Sequence, residues 1–275
     1  ASASNSESAK FYKKLGAKRI NLARELNLKQ IKEISKIIPV EIFCHGAMCV
    51  SISGRCFTSQ FLFNKSANRG KCQHPCRKSY LIQDEEGNAL KLENNKVMSA
   101  KDLCTLPFIE KIKKAGISAI KIEGRNREPE YVFSTTKIYR QAIDNKLNKQ
   151  EINKLVNELK QVYNREFSSG FYLKMPTSDD FTKYEHGSQT RTKFFIGKIL
   201  HYWKNIGVAA IKLNAGKLKL GDEILVQGNT TFFQAKITSM QIKQKPITQV
   251  KKGQEVGIKL PLCRENDDIY LVVKK

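Results

Sequence analysis

The chain changes its hydrophobic periodicity once, and that change limits it to two architectures in series. Through about residue 163, apolar residues recur at helical intervals, Gly or Pro stops each run, and a short apolar stretch follows. Residues 6–15 have helical spacing, with Ser4 or Asn5 as cap and Gly16 as stop, and residues 19–23 (RINLA) then read as a buried strand. Residues 28–37 repeat the pattern through Leu28, Ile31, Ile34 and Ile37, Pro39 ends it, and residues 40–44 supply a second strand. A helix over 106–115, its terminator Gly116 and a strand over 117–122 make a third unit, and helices over 129–146 and 150–163 close the region. Such α–β alternation builds an α/β fold, either a parallel sheet or a β/α barrel. From residue 194 onward the pattern becomes short alternating strands, at 194–200, 207–213, 222–227, 232–240 and 255–260, which predicts a small all-β antiparallel barrel. The expected organisation is an α/β catalytic region over 1–165 with a Cys-rich insertion at about 45–95, a linker over 166–190, and a β-barrel over 191–275.

Charge narrows the partners. The 275 residues carry 49 Lys and Arg against 26 Asp and Glu, a formal +23 with a pI near 9.7, which excludes an acidic, self-repelling chain. Such a surplus favours a polyanion, nucleic acid ahead of an anionic membrane. Residues 191–275 hold 16 of the cations and 6 of the anions, so the expected barrel is itself +10. No run approaches the roughly 18 apolar residues of a membrane span, and the first twenty residues lack the apolar core of a signal peptide. A cytoplasmic protein is expected. The chain also begins without Met, at what looks like the end of a strand, as if an upstream part preceded it.

Seven cysteines in a cytoplasmic chain point to thiol or metal chemistry rather than disulfides. Cys49, Cys56, Cys72 and Cys76 follow C-x6-C-x15-C-x3-C through a Gly- and Arg-rich loop. That spacing lacks the paired C-x2-C knuckles of structural zinc, so a 4Fe–4S cluster is favoured and Zn kept as the alternative. Cys104 competes with Cys76 as fourth ligand, whereas Cys44 and Cys263 read as buried small hydrophobes. His45, Glu123 and Arg125 fall near the ends of expected strands, where β/α barrels gather catalytic groups, and Arg125 could clamp a carboxylate or phosphate. Glu41 falls at a strand start and reads equally well as a salt-bridged carboxylate. Arg69, Lys71 and Arg77 crowd the cysteine loop, suited to RNA phosphates or to holding the charge of a cluster. Lys198, Lys204, Lys236 and Lys243 interleave with Tyr202, Trp203, Phe232 and Phe233 on the barrel, a pattern suited to RNA phosphates and bases. Ser51, Ser53 and Ser59 lack any nucleophile-elbow pattern, and H-E-x-x-H is absent, so no protease motif emerges.

Several of these segments together resemble a known family. EIFCHGAMCVSISGRCFTS at 41–59, SANRGKCQHPCR at 66–77, SAKDLC at 99–104, and KIEGR at 121–125 with PEYV at 129–132 are similar to the collagenase-like peptidase family U32. Asn164-Arg165, Gly170-Phe-Tyr and LKLGD at 218–222 extend the resemblance over nearly the whole chain. It implies the second half of a TIM-like β/α barrel followed by a β-barrel resembling the second domain of elongation factors. Members with this C-terminal barrel resemble tRNA hydroxylation proteins that form 5-hydroxyuridine at the wobble position, while relatives modify ribosomal RNA or hydroxylate ubiquinone precursors. The resemblance further implies a 4Fe–4S cluster on four cysteines, tRNA as partner, and prephenate as a required metabolite. A missing N-terminal half-barrel, or another copy of the chain, would complete the barrel. The expected activity is therefore Fe–S-dependent RNA hydroxylation, with a U32-type peptidase and a non-catalytic RNA-binding metalloprotein as alternatives.

Overall fold

The structure is a computed structural model that describes residues 3–49, 51, 56–78, 80–90, 98–125, 127–184 and 187–275. The chain forms two compact units, Ala1–Gln189 and Thr190–Lys275.

In the first unit, α1 (Ser6–Lys14) starts at Asn5, whose side chain accepts the Ser8 N–H at 2.8 Å. β1 (Ile20–Asn21) follows, then α2 (Leu28–Ser35), which Asn27 caps in the same way and which buries Ile31 and Ile34. β2 (Val40–Gly46) is the central strand, and three of its alternate residues, Val40, Ile42 and Cys44, are almost completely buried. The cysteine insertion contributes α3 (Thr58–Phe63), β3 (Ile82–Gln83) and β4 (Ala89–Leu90). Next come β5 (Asp102–Cys104), α4 (Ile109–Lys114), β6 (Ala119–Ile122), α5 (Pro129–Asp144), α6 (Lys149–Leu159) and β7 (Phe167–Ser168). The helix expected over 106–115 opens as a tight 3-10 turn at Leu106–Phe108, with Pro107 in the first turn, where its missing N–H costs no intrahelical bond.

β1, β2 and β6 are parallel and adjacent, with Ile20 opposite Val40 and Glu41 opposite Ala119. β5 instead runs antiparallel to the end of β2, with His45 opposite Cys104, and pairs in parallel with β7. The described strands thus form an open five-stranded mixed sheet. Ile31, Ile34, Ile42, Leu106, Ile112 and Leu159 fill the core between it and the helices. One expectation shifts here. His45 lies within β2 rather than after it, and Cys104 ends β5. The polar stretch expected as a linker over 166–190 is folded into the first unit almost to its end. β7 pairs with β5, the Tyr172 hydroxyl donates to the Phe43 carbonyl at 2.6 Å, and Phe181 bridges to Ala100. Its Gly and Ser punctuation marks turns, and turns within a domain look the same in composition as a linker between two.

The second unit is all-β. It contains β8 (Arg191–Trp203), β9 (Val208–Leu213), β10 (Lys217–Lys219), β11 (Glu223–Gln227) and β12 (Phe232–Lys236). β13 (Met240–Ile242), β14 (Lys245–Pro246), β15 (Gln249–Lys251), β16 (Glu255–Lys259) and β17 (Asp268–Lys274) complete it. Eight strands join in the order β12-β11-β17-β8-β9-β16-β13-β14, every ladder antiparallel, and β10 pairs with β15. Ile199, Ile211, Leu213, Ile224, Val226, Ile258 and Ile269 pack the interior. Gly197 is required where β8 passes β9, since a Cβ there would overlap the Lys212 carbonyl oxygen. The strand expected over 232–240 is two strands, β12 and β13, and β17, the central partner of β8, was not anticipated. No helix among the described residues is long and apolar enough to cross a membrane.

Candidate functional site

β2 ends at Gly46 and delivers Cys49 three residues later. Cys56 precedes α3, Cys72 follows Gly70 (φ +78°), and Cys76 sits in the 3-10 turn Pro75–Arg77, entered through His74 at φ 53°. The Ser51 N–H donates to Cys49 Sγ at 3.4 Å and the His74 N–H to Cys72 Sγ at 3.3 Å. The Cys56 thiol is pulled below its usual range, chiefly by hydrogen bonding from Thr58, with Ser51 and the Ser59 N–H contributing. Burial pushes the Cys76 thiol up, Arg77 pulls it down, and Cys49, Cys72 and Cys56 push it up again, so all four thiols share one electrostatic neighbourhood. Hydrogen-bond donors aimed at sulfur favour thiolates, the form that binds metal, and an all-sulfur donor set suits an Fe–S cluster or zinc. Among the described residues, no three of His, Cys, Asp and Glu stand together as ligands of a single ion. Cys104 is elsewhere. Its thiol is buried, pushed up to about 11 by that burial, and receives the Tyr139 hydroxyl at 3.8 Å.

His45 is 1% exposed and surrounded by the rings of Phe167, Tyr139 and Tyr131 at 5.3, 5.5 and 5.9 Å. Burial, with a smaller push from Arg127, lowers it to about 3, so it is neutral at physiological pH and too weak a base to accept a proton there. Its contribution to the site passes through the backbone, where its carbonyl accepts the Glu123 N–H at 2.8 Å. Glu123 closes over Gly46 (φ +115°) and receives the Arg125 N–H on Oε1 at 3.2 Å. The exposed Arg125 guanidinium lies against Gly70, where a Cβ would be 2.9 Å from Nη1, so β6 and the cysteine insertion meet at this point. Glu41 accepts from Asn21 at 3.2 Å and pairs with Lys121 at 3.3 Å and Arg19 at 3.4 Å, bracing the opposite end of β2.

Residues that sequence reasoning did not single out complete the surroundings. Arg24 lies 3.8 Å over the Phe43 ring and donates to the Ala47 carbonyl; burial lowers its pKa, and the charges of Glu123 and Cys49 oppose that. Asp102, 1% exposed, accepts from Arg127 at 3.5 Å and from the Arg165 N–H at 3.3 Å, and burial raises its pKa against the pull of both arginines and Arg77. Arg127 and Arg165 stack on Tyr163 at 4.1 and 5.3 Å. A charged residue in a three-residue strand gives no periodic signal, so only its place beside Leu103 and Cys104 in the SAKDLC segment could have pointed to Asp102.

Arg77 corrects an expectation. Expected to contact RNA phosphate, it is instead 7% exposed and donates to Met48 O at 2.8 Å, to Ser99 Oγ at 3.1 Å and to the Ala100 carbonyl. Burial next to three acceptors makes it a structural tie. Arg69 and Lys71 remain exposed on the insertion. In the second unit Lys204 and Lys236 are exposed, while Lys198 pairs with Asp268 at 2.8 Å. Trp203 is 46% exposed with its ring 4.8 Å from His201, whereas Tyr202 and Phe233 pack against the core of the second unit. Lys243 sits at φ 48° just after β13. No nucleophile–base pair is assembled among the described residues. Ser59 is buried and accepts the Gln73 N–H at 2.9 Å, His45 Nδ1 faces Tyr139, and Ser53 lies outside the described residues.

These features define a two-unit protein in which a mixed α/β sheet presents a four-thiol loop and a basic all-β unit follows. The chain belongs to peptidase family U32, whose sequence profile matches residues 1–182. It is 41% identical to an uncharacterized protease of Methanocaldococcus jannaschii over 98% of this chain and 69% of that protein. A collagenase of Porphyromonas gingivalis is 35% identical over 99% of this chain and 70% of its own length. The tRNA hydroxylation protein P of Escherichia coli is 29% identical over 84% of this chain and 62% of its own length.

Proposed function

We propose that the protein is an RNA hydroxylase that carries a 4Fe–4S cluster on Cys49, Cys56, Cys72 and Cys76, and that its product is 5-hydroxyuridine at the wobble position of tRNA. The observation that carries this reading is the common neighbourhood of the four thiols, with backbone N–H groups donating to two of the sulfurs. Kinship to the tRNA hydroxylation protein P supports the choice of RNA over peptide, as does a net charge of +23. When bound, such a cluster supplies one-electron transfer.

The chain's own residues do the rest. Arg77 holds the neck of the loop, and Arg24 adds half-buried positive charge next to Cys49. Glu123 and Arg125 face the insertion from the end of β6, with Arg125 available to clamp the carboxylate of a small co-reactant, for which prephenate is the candidate. The second unit, through Lys204, Lys236 and Trp203, engages the body of the tRNA.

The reading is tested by deleting the gene and measuring tRNA nucleosides by mass spectrometry; unchanged 5-hydroxyuridine in the deletion strain rules it out. Iron and acid-labile sulfide in anaerobically purified protein test the cluster separately, and a colourless zinc protein would remove it.

A further inference from the structure

The stretch from Ile42 to Gln83 contains no Asp or Glu. Within it, α3 and its N-cap leave aromatic rings in solvent: Phe57 is 72% exposed and Phe61 88%. Burying such a ring is worth about 2–3 kcal/mol, and nothing in this short helix collects it. Lys65, Arg69 and Lys71 follow directly, are exposed, and have no carboxylate partner among the described residues. The loop already joins the two chemistries once, where Lys78 Nζ stands 4.7 Å over the Phe63 ring.

We infer that the outer face of the cysteine insertion is a platform for single-stranded RNA, on which bases stack against Phe57 and Phe61 while Lys65, Arg69 and Lys71 contact the phosphates. This deepens the proposed function and rests on its choice of RNA as substrate. Exposed rings followed at once by cations with no carboxylate partner among the described residues match what unpaired nucleotides offer, since every base has a π-face and every linkage a negative charge. A protein partner would normally be met with carboxylates as well as cations around its apolar anchors, and here residues 42–83 have none. The platform lies between Cys56 and Cys72, so a strand stacked on it is held beside the thiols.

The test is fluorescence anisotropy of a short oligouridylate with the full-length, anaerobically purified protein over a series of salt concentrations. Phe57→Ala/Phe61→Ala weakens binding by about 10-fold or more with the salt dependence unchanged, as loss of stacking requires. Lys65→Gln/Lys71→Gln lowers the slope of log K against log salt by about 1.4, the value for two phosphate contacts on a single strand. Phe61→Trp keeps full affinity, which separates stacking from a folding defect, and unchanged iron content in each variant shows that the loop is intact. Unaltered RNA affinity in the double Phe variant overturns the inference. If that variant instead loses self-association in sedimentation, the face joins two copies; if it loses binding to phosphatidylserine vesicles, it meets a membrane. Nucleoside analysis is a separate readout. Binding that responds as stated while no 5-hydroxyuridine depends on the gene would retain the platform and remove the hydroxylase.

Discussion

The Arg77 guanidinium donates to the Met48 carbonyl at 2.8 Å, and so fastens the turn that carries Cys76 to the segment that carries Cys49. Its other amino group reaches Ser99 and Ala100, where the chain leaves the insertion. One side chain therefore gathers the entry, the exit and a thiol-bearing turn of a loop about fifty residues long. A buried guanidinium suits this because its planar fork meets several acceptors at fixed angles.

Arg77→Met is expected to cost about 3 kcal/mol or more, since it strands buried acceptors on both sides of the neck. Arg77→Lys, which keeps the charge without the fork, should recover less than half of the loss. Urea unfolding of the three proteins measures both values.

The fourth thiol can be assigned by metal content. Cys76→Ser should lose most of the bound iron after anaerobic purification, while Cys104→Ser, whose side chain lies in the core beside Tyr139, should retain it. Equal losses in both would reverse the assignment.

His45 makes stability depend on pH. It is held neutral in the fold at about 3, whereas in the unfolded chain it protonates near its ordinary value of about 6.5. Below that value the unfolded state takes up a proton that the native state refuses, so stability is complete above about pH 6.5 and falls as pH drops toward 3. Between pH 7.5 and pH 5 the loss should be roughly 2 kcal/mol. His45→Asn should lack that component, as urea midpoints at the two pH values will reveal.

Gly46→Ala should destabilise by about 2–5 kcal/mol, because a Cβ there would lie 2.6 Å from the Glu123 carbonyl oxygen on a backbone at φ +115°. Gly253→Ala is the control. It shares a positive φ of +86° but has open space around it, so only the backbone penalty of about 1 kcal/mol should appear.

Periodicity disclosed α2, α5 and α6 well because each buries one stripe, and missed α3, which buries only Ser59. Ile31 and Ile34 mark the inner face of α2, and Asn5 and Asn27 cap where a short polar side chain can accept an N–H. It disclosed strand boundaries poorly, because β1 and β5 are two and three residues long, too short for alternation to register. β17 carries a weak signal because only Ile269 of its DIYLVVK run is fully buried, so its burial does not alternate cleanly. The cysteine spacing marked four thiols of one loop as candidates but could not separate Cys76 from Cys104, because spacing does not reveal that Cys104 is buried beside Tyr139. Arg77 reads as a surface cation in sequence because nothing local reveals that its acceptors lie more than twenty residues away on either side.

β2 links two jobs through one register. Its N-terminal end anchors Glu41 among Arg19, Asn21 and Lys121, its middle supplies the core, and three residues past its last pair comes the first thiol. Sliding it by a single residue against β6 would exchange its inward and outward sets and carry Cys49 along the strand by more than 3 Å. The loop that would handle electrons is thus calibrated by oil-like contacts at a distance, and an error in packing β2 would be felt first as chemistry.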